Sequence, residues 1–159
     1  MKKHEFYMAE ALREAKKAFE KDEVPVGAVI VHKGRIIARA HNQIKLLKDP
    51  TAHAEMIAIT QAANCLQNER LIGCVMYVTI EPCSMCTGAM ILARIKELFY
   101  AAGDPKAGAC GSIVNLVNHK RLNHRVKVKK GILGQESSSL IKEFFRKKRS
   151  NKKVPRDSM

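Results

Sequence analysis

"CVMYVTIEPCSMCTGAMILAR" spans residues 74–94 and decides the fold. Residues 74–80 are rich in β-formers and read as a strand. Residues 84–94 are largely apolar and read as a buried helix. Between them stands "PCSMC" (82–86), with two cysteines three positions apart behind a proline. A strand running straight into a helix is the repeating unit of an α/β domain. A cysteine pair at that joint fits a redox couple, half of a structural zinc site, or two ligands of a catalytic zinc.

The flanking segments extend the alternation. Residues 5–20 predict an amphipathic helix, with Met8, Ala11, Leu12, Ala15, Ala18 and Phe19 at helical spacing. "VPVGAVIV" (24–31) and "RIIARAHN" (35–42) predict a hairpin that turns at "HKG", with Gly34 in the turn. Residues 43–52 predict a loop, and 54–66 a buried helix. "IKELFYAA" (95–102) is a further strand, "GDPKAGACGS" (103–112) a Gly-rich loop, and "RVKVKK" (125–130) an edge strand. "SSSLIKEFFRKKR" (137–149) predicts a closing helix, with Ser137, Ser138 and Ser139 as N-cap candidates. The sum is a three-layer α/β/α domain on a central mixed five-stranded sheet, mixed because of the hairpin. One domain is expected over residues 1–150, followed by a basic, disordered tail over 151–159.

At 159 residues and 46% hydrophobic, the chain suits one domain with a sizeable core. It has no Trp, so aliphatic side chains and methionines must fill that core. No apolar stretch approaches the roughly 18 residues of a membrane span. The N-terminus turns charged and amphipathic after two lysines and lacks a secretory apolar region. A cytoplasmic protein is expected. An odd number of cysteines, without a secretory signal, argues against a disulfide scaffold. Cys65, Cys74 and Cys110 have no ligand-like spacing and read as buried small hydrophobes.

Catalytic zinc commonly keeps three protein ligands and an open position for water. Cys83 and Cys86 supply two, at a helix start where the dipole favours thiolates. "HAE" (53–55) offers the third, His53, with Glu55 beside it. At the irregular entry to a helix both side chains can enter one cavity. Zinc brings the pKa of a bound water from about 16 to about 7. Glu55 would take that water's proton, pass it to a ring nitrogen, and then to a leaving amine.

H-x-E together with P-C-x-x-C resembles the signature of zinc nucleoside and nucleobase deaminases. "DPTAHAEMIAI" (49–59), "YVTIEPCSMCTGAMI" (77–91), "AGDPKAGACGS" (102–112), "LNHRV" (122–126) and "FFRKKR" (144–149) resemble the bacterial tRNA adenosine deaminases. The resemblance implies a cytidine-deaminase-like fold and a homodimer with one zinc per subunit. It implies hydrolytic deamination of adenosine to inosine at the wobble position of the tRNA anticodon. By motif, His53, Cys83 and Cys86 become ligands and Glu55 the proton shuttle. Asn42 matches a residue that hydrogen-bonds the target base, and Asp104 and Lys106 match an anticodon-contacting loop. Asn123, His124, Phe145, Arg146 and Arg149 match other RNA-facing positions.

The charge points the same way. A formal net charge of +14 suits a polyanion partner, here the tRNA anticodon stem-loop. Basic residues crowd 142–156, where Glu143 is the only acid before Asp157. If about five of them neutralise phosphates, binding weakens roughly 100-fold between 50 and 200 mM salt. Three rivals stand beside this expectation. A zinc deaminase of free cytosine, guanine or cytidine would use the same metal set. A thiol–disulfide oxidoreductase would share the strand, C-x-x-C and helix, but would give His53 and Glu55 no work. A non-catalytic RNA-binding module with structural zinc would need a fourth ligand, from Cys110 or Cys74.

Overall fold

The computed structural model describes residues 2–152. Helix α1 (Lys2–Glu20) leads into strand β1 (Gly27–His32) and strand β2 (Arg35–His41). A short helix α2 (Ile44–Leu47) and helix α3 (Ala54–Leu66) follow. Strand β3 (Val75–Ile80), helix α4 (Ser84–Leu92) and strand β4 (Glu97–Ala102) form the central unit. Strand β5 (Lys127–Lys130) and helix α5 (Gly134–Lys152) close the chain. The sheet order is β2-β1-β3-β4-β5. β1 is antiparallel to both β2 and β3, whereas β3, β4 and β5 run parallel. The expected mixed five-stranded α/β/α architecture is borne out.

Alternation along the strands divides the core in two. Ala28, Ile30, Met76, Val78, Leu98 and Tyr100 face α3 and α4, where Ala54, Ala58, Ala62 and Met90 are fully buried. Val29, Val31, Tyr77, Phe99 and Ala101 face the other way, onto Met8 and Ala11 of α1. The three interior strands, β1, β3 and β4, are covered on both faces and so read as nearly continuous apolar runs. Without tryptophan, the second face is filled by a stack in which the Tyr77 and Phe99 rings lie 4.8 Å apart. His4 adds to it, 4.3 Å from Phe99, with Nδ1 hydrogen-bonded to the Tyr77 hydroxyl at 2.6 Å.

The hairpin turns on Lys33 and Gly34, with φ of +50° and +75°, which is the primed turn that matches strand twist. β1 starts at Gly27 rather than at Val24, because Pro25 has no N–H for a ladder. The expected loop at 43–52 contains α2, whose Lys45 and Leu46 amides donate to the buried Glu23 carboxylate at 3.1 and 2.9 Å. The N-cap assignment of the C-terminal serines is corrected. α5 starts at Gly134, and the Ser137 hydroxyl, inside the helix, donates to the Thr79 carbonyl of β3. The tail boundary also moves, since Asn151 and Lys152 are helical; the rest of the expected tail, 153–159, lies outside the described residues. No helix among the described residues is long and apolar enough to cross a membrane.

α1 lies tightly on β1 only because position 27 lacks a side chain. A Cβ there would fall 2.0 Å from the Ala11 carbonyl oxygen and 2.5 Å from the Ala15 nitrogen. Both are backbone atoms of α1 and cannot swing aside. Gly27→Ala is therefore expected to destabilise the domain by about 1–3 kcal/mol, read from the urea unfolding midpoint.

Candidate active site

His53 and Cys83 hold equivalent places, each the N-cap of a helix. His53 caps α3 with φ −72° and ψ 151°, and Cys83 caps α4 with φ −74° and ψ 177°. Both are extended, as expected for residues just outside a helix. Neither side chain makes a capping bond to the backbone of its own helix, so imidazole and thiol are free to point elsewhere. They point at each other: Nδ1 of His53 lies 3.7 Å from Cys83 Sγ and 3.5 Å from Cys86 Sγ. All three donor atoms lie within 4.8 Å of one another, and among the described residues no other His, Cys, Asp or Glu joins them. Two sulfurs and one imidazole nitrogen can hold a metal ion. Cys110, the other candidate for a fourth ligand beside Cys74, instead packs its sulfur 3.5 Å from the Thr87 hydroxyl.

His53 and Cys83 of the trio line a cavity of about 220 Å³. Asn42, His53, Glu55, Glu81, Cys83 and Asp104 all contribute to its lining. Asn42 leaves β2 and its side-chain oxygen accepts the Ala54 N–H at 2.8 Å. That satisfies one of the orphan donors at the start of α3 and ties the strand end to the helix that carries His53 and Glu55. With its oxygen so used, the Asn42 NH₂ is the end left for the cavity. Glu55, in the first turn of α3, is 3% exposed.

A family model of MafB19-like deaminases matches residues 2–149. This chain belongs to that deaminase family. A relative from Aquifex aeolicus, a tRNA-specific adenosine deaminase, is 52% identical over 147 residues, 92% of this chain and 97% of that protein. The tRNA-specific adenosine deaminase of Bacillus subtilis is 46% identical over 159 residues, 100% of this chain and 99% of that protein. A structure from a study of A-to-I editing by tRNA:A34 deaminases at the wobble position superposes with a TM-score of 0.83. It is 46% identical and covers 85% of this chain and 98% of its own. Guanine deaminase from Bacillus subtilis also superposes, with a TM-score of 0.62 and 32% identity over 91% of this chain and 94% of its own.

Within this deaminase site the ionisable groups are pushed apart. The Cys83 thiol, hydrogen-bonded first to Cys86 and then to His53, is drawn down to about 3. The same bond with Cys83, acting against burial, raises His53. Cys86, bonded to Cys83 and buried, is pushed up. Burial pushes the Glu55 carboxyl above its usual range. Glu81 goes the other way: burial opposes its charge, but the Ser112 hydroxyl and nearby amides outweigh it and lower its pKa.

The RNA-facing candidates do not all gather here. Asp104 reaches the cavity, but its Oδ1 already accepts the Lys106 and Ala107 amides at 3.0 and 3.3 Å. Lys106 is exposed beside it. Asn123 accepts from Arg94 at 3.2 Å, and His124 Nε2 donates to the Ile95 carbonyl at 2.8 Å; neither lines the cavity. Phe145 is 42% exposed, whereas Phe144 is buried against Phe19. Arg146 makes a two-pronged pair with Glu143, and Arg149 lies exposed near the end of α5. Of the cysteines read as buried, Cys74 and Cys110 are, but Cys65 is exposed because it ends α3 on the solvent side. His41 is buried, with its Nε2 unpartnered and its Nδ1 3.3 Å from Glu14.

The two ends of Asn42 are separable by substitution. Asn42→Ala is expected to lower stability by about 1 kcal/mol through loss of the cap. Asn42→Asp, which keeps the acceptor at a helix N-terminus, should unfold within about 0.5 kcal/mol of the parent. Urea denaturation of the pair checks this.

Proposed function

We propose that this chain hydrolytically deaminates adenosine to inosine at the wobble position of a tRNA anticodon. One observation carries the proposal: two sulfurs and an imidazole lie within 4.8 Å of one another, and His53 and Cys83 open onto a base-sized cavity that Glu55 and Asn42 also line. The tRNA-specific relatives support the substrate. The donor set fits zinc, since borderline-soft metals favour thiolate and imidazole. His53, Cys83 and Cys86 would hold one zinc per subunit. Bound there, zinc supplies the acidity that makes water a usable nucleophile near neutral pH.

The remaining work falls to the chain. Burial raises the pKa of the Glu55 carboxyl, so its carboxylate is a stronger base toward water and holds the proton until it is passed on. It accepts the proton of the attacking water, delivers it to a ring nitrogen, and passes a proton to the departing amine, which leaves as ammonia. Asn42 offers its NH₂ to an acceptor on the base edge. An unpaired anticodon base enters a small cavity at less cost than one stacked in a duplex. Asp104, Lys106, Asn123, His124, Phe145, Arg146 and Arg149 are assigned the surrounding RNA surface. A cytoplasmic homodimer completes the proposal, with one domain ending near residue 150.

A free-base deaminase is the second reading, because the guanine deaminase of Bacillus subtilis shares the fold at 32% identity. Inosine formation on a tRNA transcript with a wobble adenosine tests the two, with free cytidine, cytosine and guanine in parallel. Inosine at that position alone is the expected result; turnover of a free base only would overturn the RNA substrate. Glu55→Ala is expected to keep its zinc and lose about 10²–10⁴-fold in rate. Metal analysis alongside the inosine assay checks both halves. Replacing Arg146, Arg149 and Lys152 with Ala should flatten log K against log salt by about 0.7 for each phosphate no longer neutralised. A tRNA titration at several salt concentrations that returned the same slope would remove α5 from the interface.

A further inference from the structure

Glu81 follows β3 directly, two residues before Cys83, and is 1% exposed. A buried carboxylate is costly unless its oxygens are fully paired. Here four donors converge on it: Oε1 accepts the Asp104 amide at 3.0 Å and the Ser112 hydroxyl, and Oε2 the Cys110 and Ser112 amides at 3.0 and 3.1 Å. All four come from one loop, 103–112. The backbone on either side adds two more ties. The Glu81 N–H donates to the Ala102 carbonyl at 2.8 Å, and the Pro82 carbonyl accepts the Ala109 N–H at 2.9 Å. The loop has yielded space to the carboxylate as well. A Cβ on Gly108 would fall 2.3 Å from Glu81 Cδ.

The loop strapped down in this way forms part of the cavity wall through Asp104 and Ala107, and Glu81 and Cys83 line the same cavity. On the deaminase reading proposed above, we infer that Glu81 is a positioning residue for substrate. Its carboxylate fixes the wall that meets the nucleotide at a set distance from the ligand-bearing turn. Both carboxylate oxygens are committed, so the group cannot rotate without releasing part of the loop. A carboxamide is a poor substitute, because its NH₂ would face amide donors.

The experiment uses the zinc-loaded full chain and Glu81→Gln. Amide hydrogen exchange at Asp104, Cys110 and Ser112 is expected to quicken, with zinc per chain unchanged. KM for the tRNA should rise about tenfold while kcat changes by less than about threefold. Unchanged exchange would overturn the inference. So would loss of zinc with KM unchanged in the remaining active fraction, since Glu81 would then support only the ligands. Should Glu81→Gln fail to fold, Ser112→Ala removes one donor from an exposed residue. It should raise KM in the same direction by a smaller factor, and an unaltered KM would equally sink the idea. A wild type that leaves tRNA untouched but converts a free base fails the functional reading alone. The same KM comparison then runs with that base, and hydrogen exchange reads the strap in either case.

Discussion

Everything at the site depends on two helix N-termini meeting at one point. α3 and α4 lie on the same face of the sheet, and their N-cap residues, His53 and Cys83, bring their donor atoms within 3.7 Å. An N-cap side chain usually bonds its own helix. Neither of these makes that capping bond, and Asn42 serves an orphan amide of α3 instead. A cap supplied from another element frees the imidazole for the trio. It also fixes a polar group from the end of β2 at the rim. Cys86, one turn into α4, completes the trio because the helix carries its sulfur back over the same point.

Buried carboxylates show how one residue type takes opposite work. Glu81 and Glu55 are 1% and 3% exposed. Glu81 meets converging donors and keeps its charge; Glu55 meets few and is pushed toward its neutral form. Pairs of titratable groups driven apart in this way mark the division between a fixed support and a proton carrier. Glu23 belongs with Glu81, as a buried carboxylate taking backbone amides, and it is what shapes the α2 turn. The rim of the cavity is therefore tied down at two places by acids that do no chemistry, and the acid that could do chemistry is the one left under-solvated.

Much of this was legible in the sequence because it rests on local signals. Alternation of apolar strands with apolar helices identified the layers, and the residue set of the trio followed from spacing and from the place of each ligand at a helix entry. What escaped was fixed by distant partners. α2 forms because Glu23, some twenty residues earlier, takes its amides. Three serines in a row look like a cap, yet Ser137 is drawn across to Thr79 and the helix starts earlier. Glu81 carried no periodic signal. Its partners lie 23–31 residues away, and its one trace in the sequence is a glycine at 108 that only the fold explains. His124 and Asn123 were singled out by family likeness, while their bonds here run to Ile95 and Arg94 of the chain itself.

A cavity of about 220 Å³ can take a base but not a nucleic acid, so affinity and chemistry must be housed separately. The basic end of α5 begins on the opposite face of the sheet from the trio, which by itself would leave it remote. Asp22 closes that gap. Its two oxygens receive Lys148 of α5 at 2.5 Å and Lys45 of α2 at 3.0 Å, and Ile44, next to Lys45, lines the cavity. Exposed ion pairs contribute little stability. Their effect here is placement: one acid holds the charge of two lysines where α5 meets α2, the short helix whose Ile44 reaches the cavity. A free base gains nothing from that charge. The polynucleotide substrate proposed above brings phosphates with which such lysines pair.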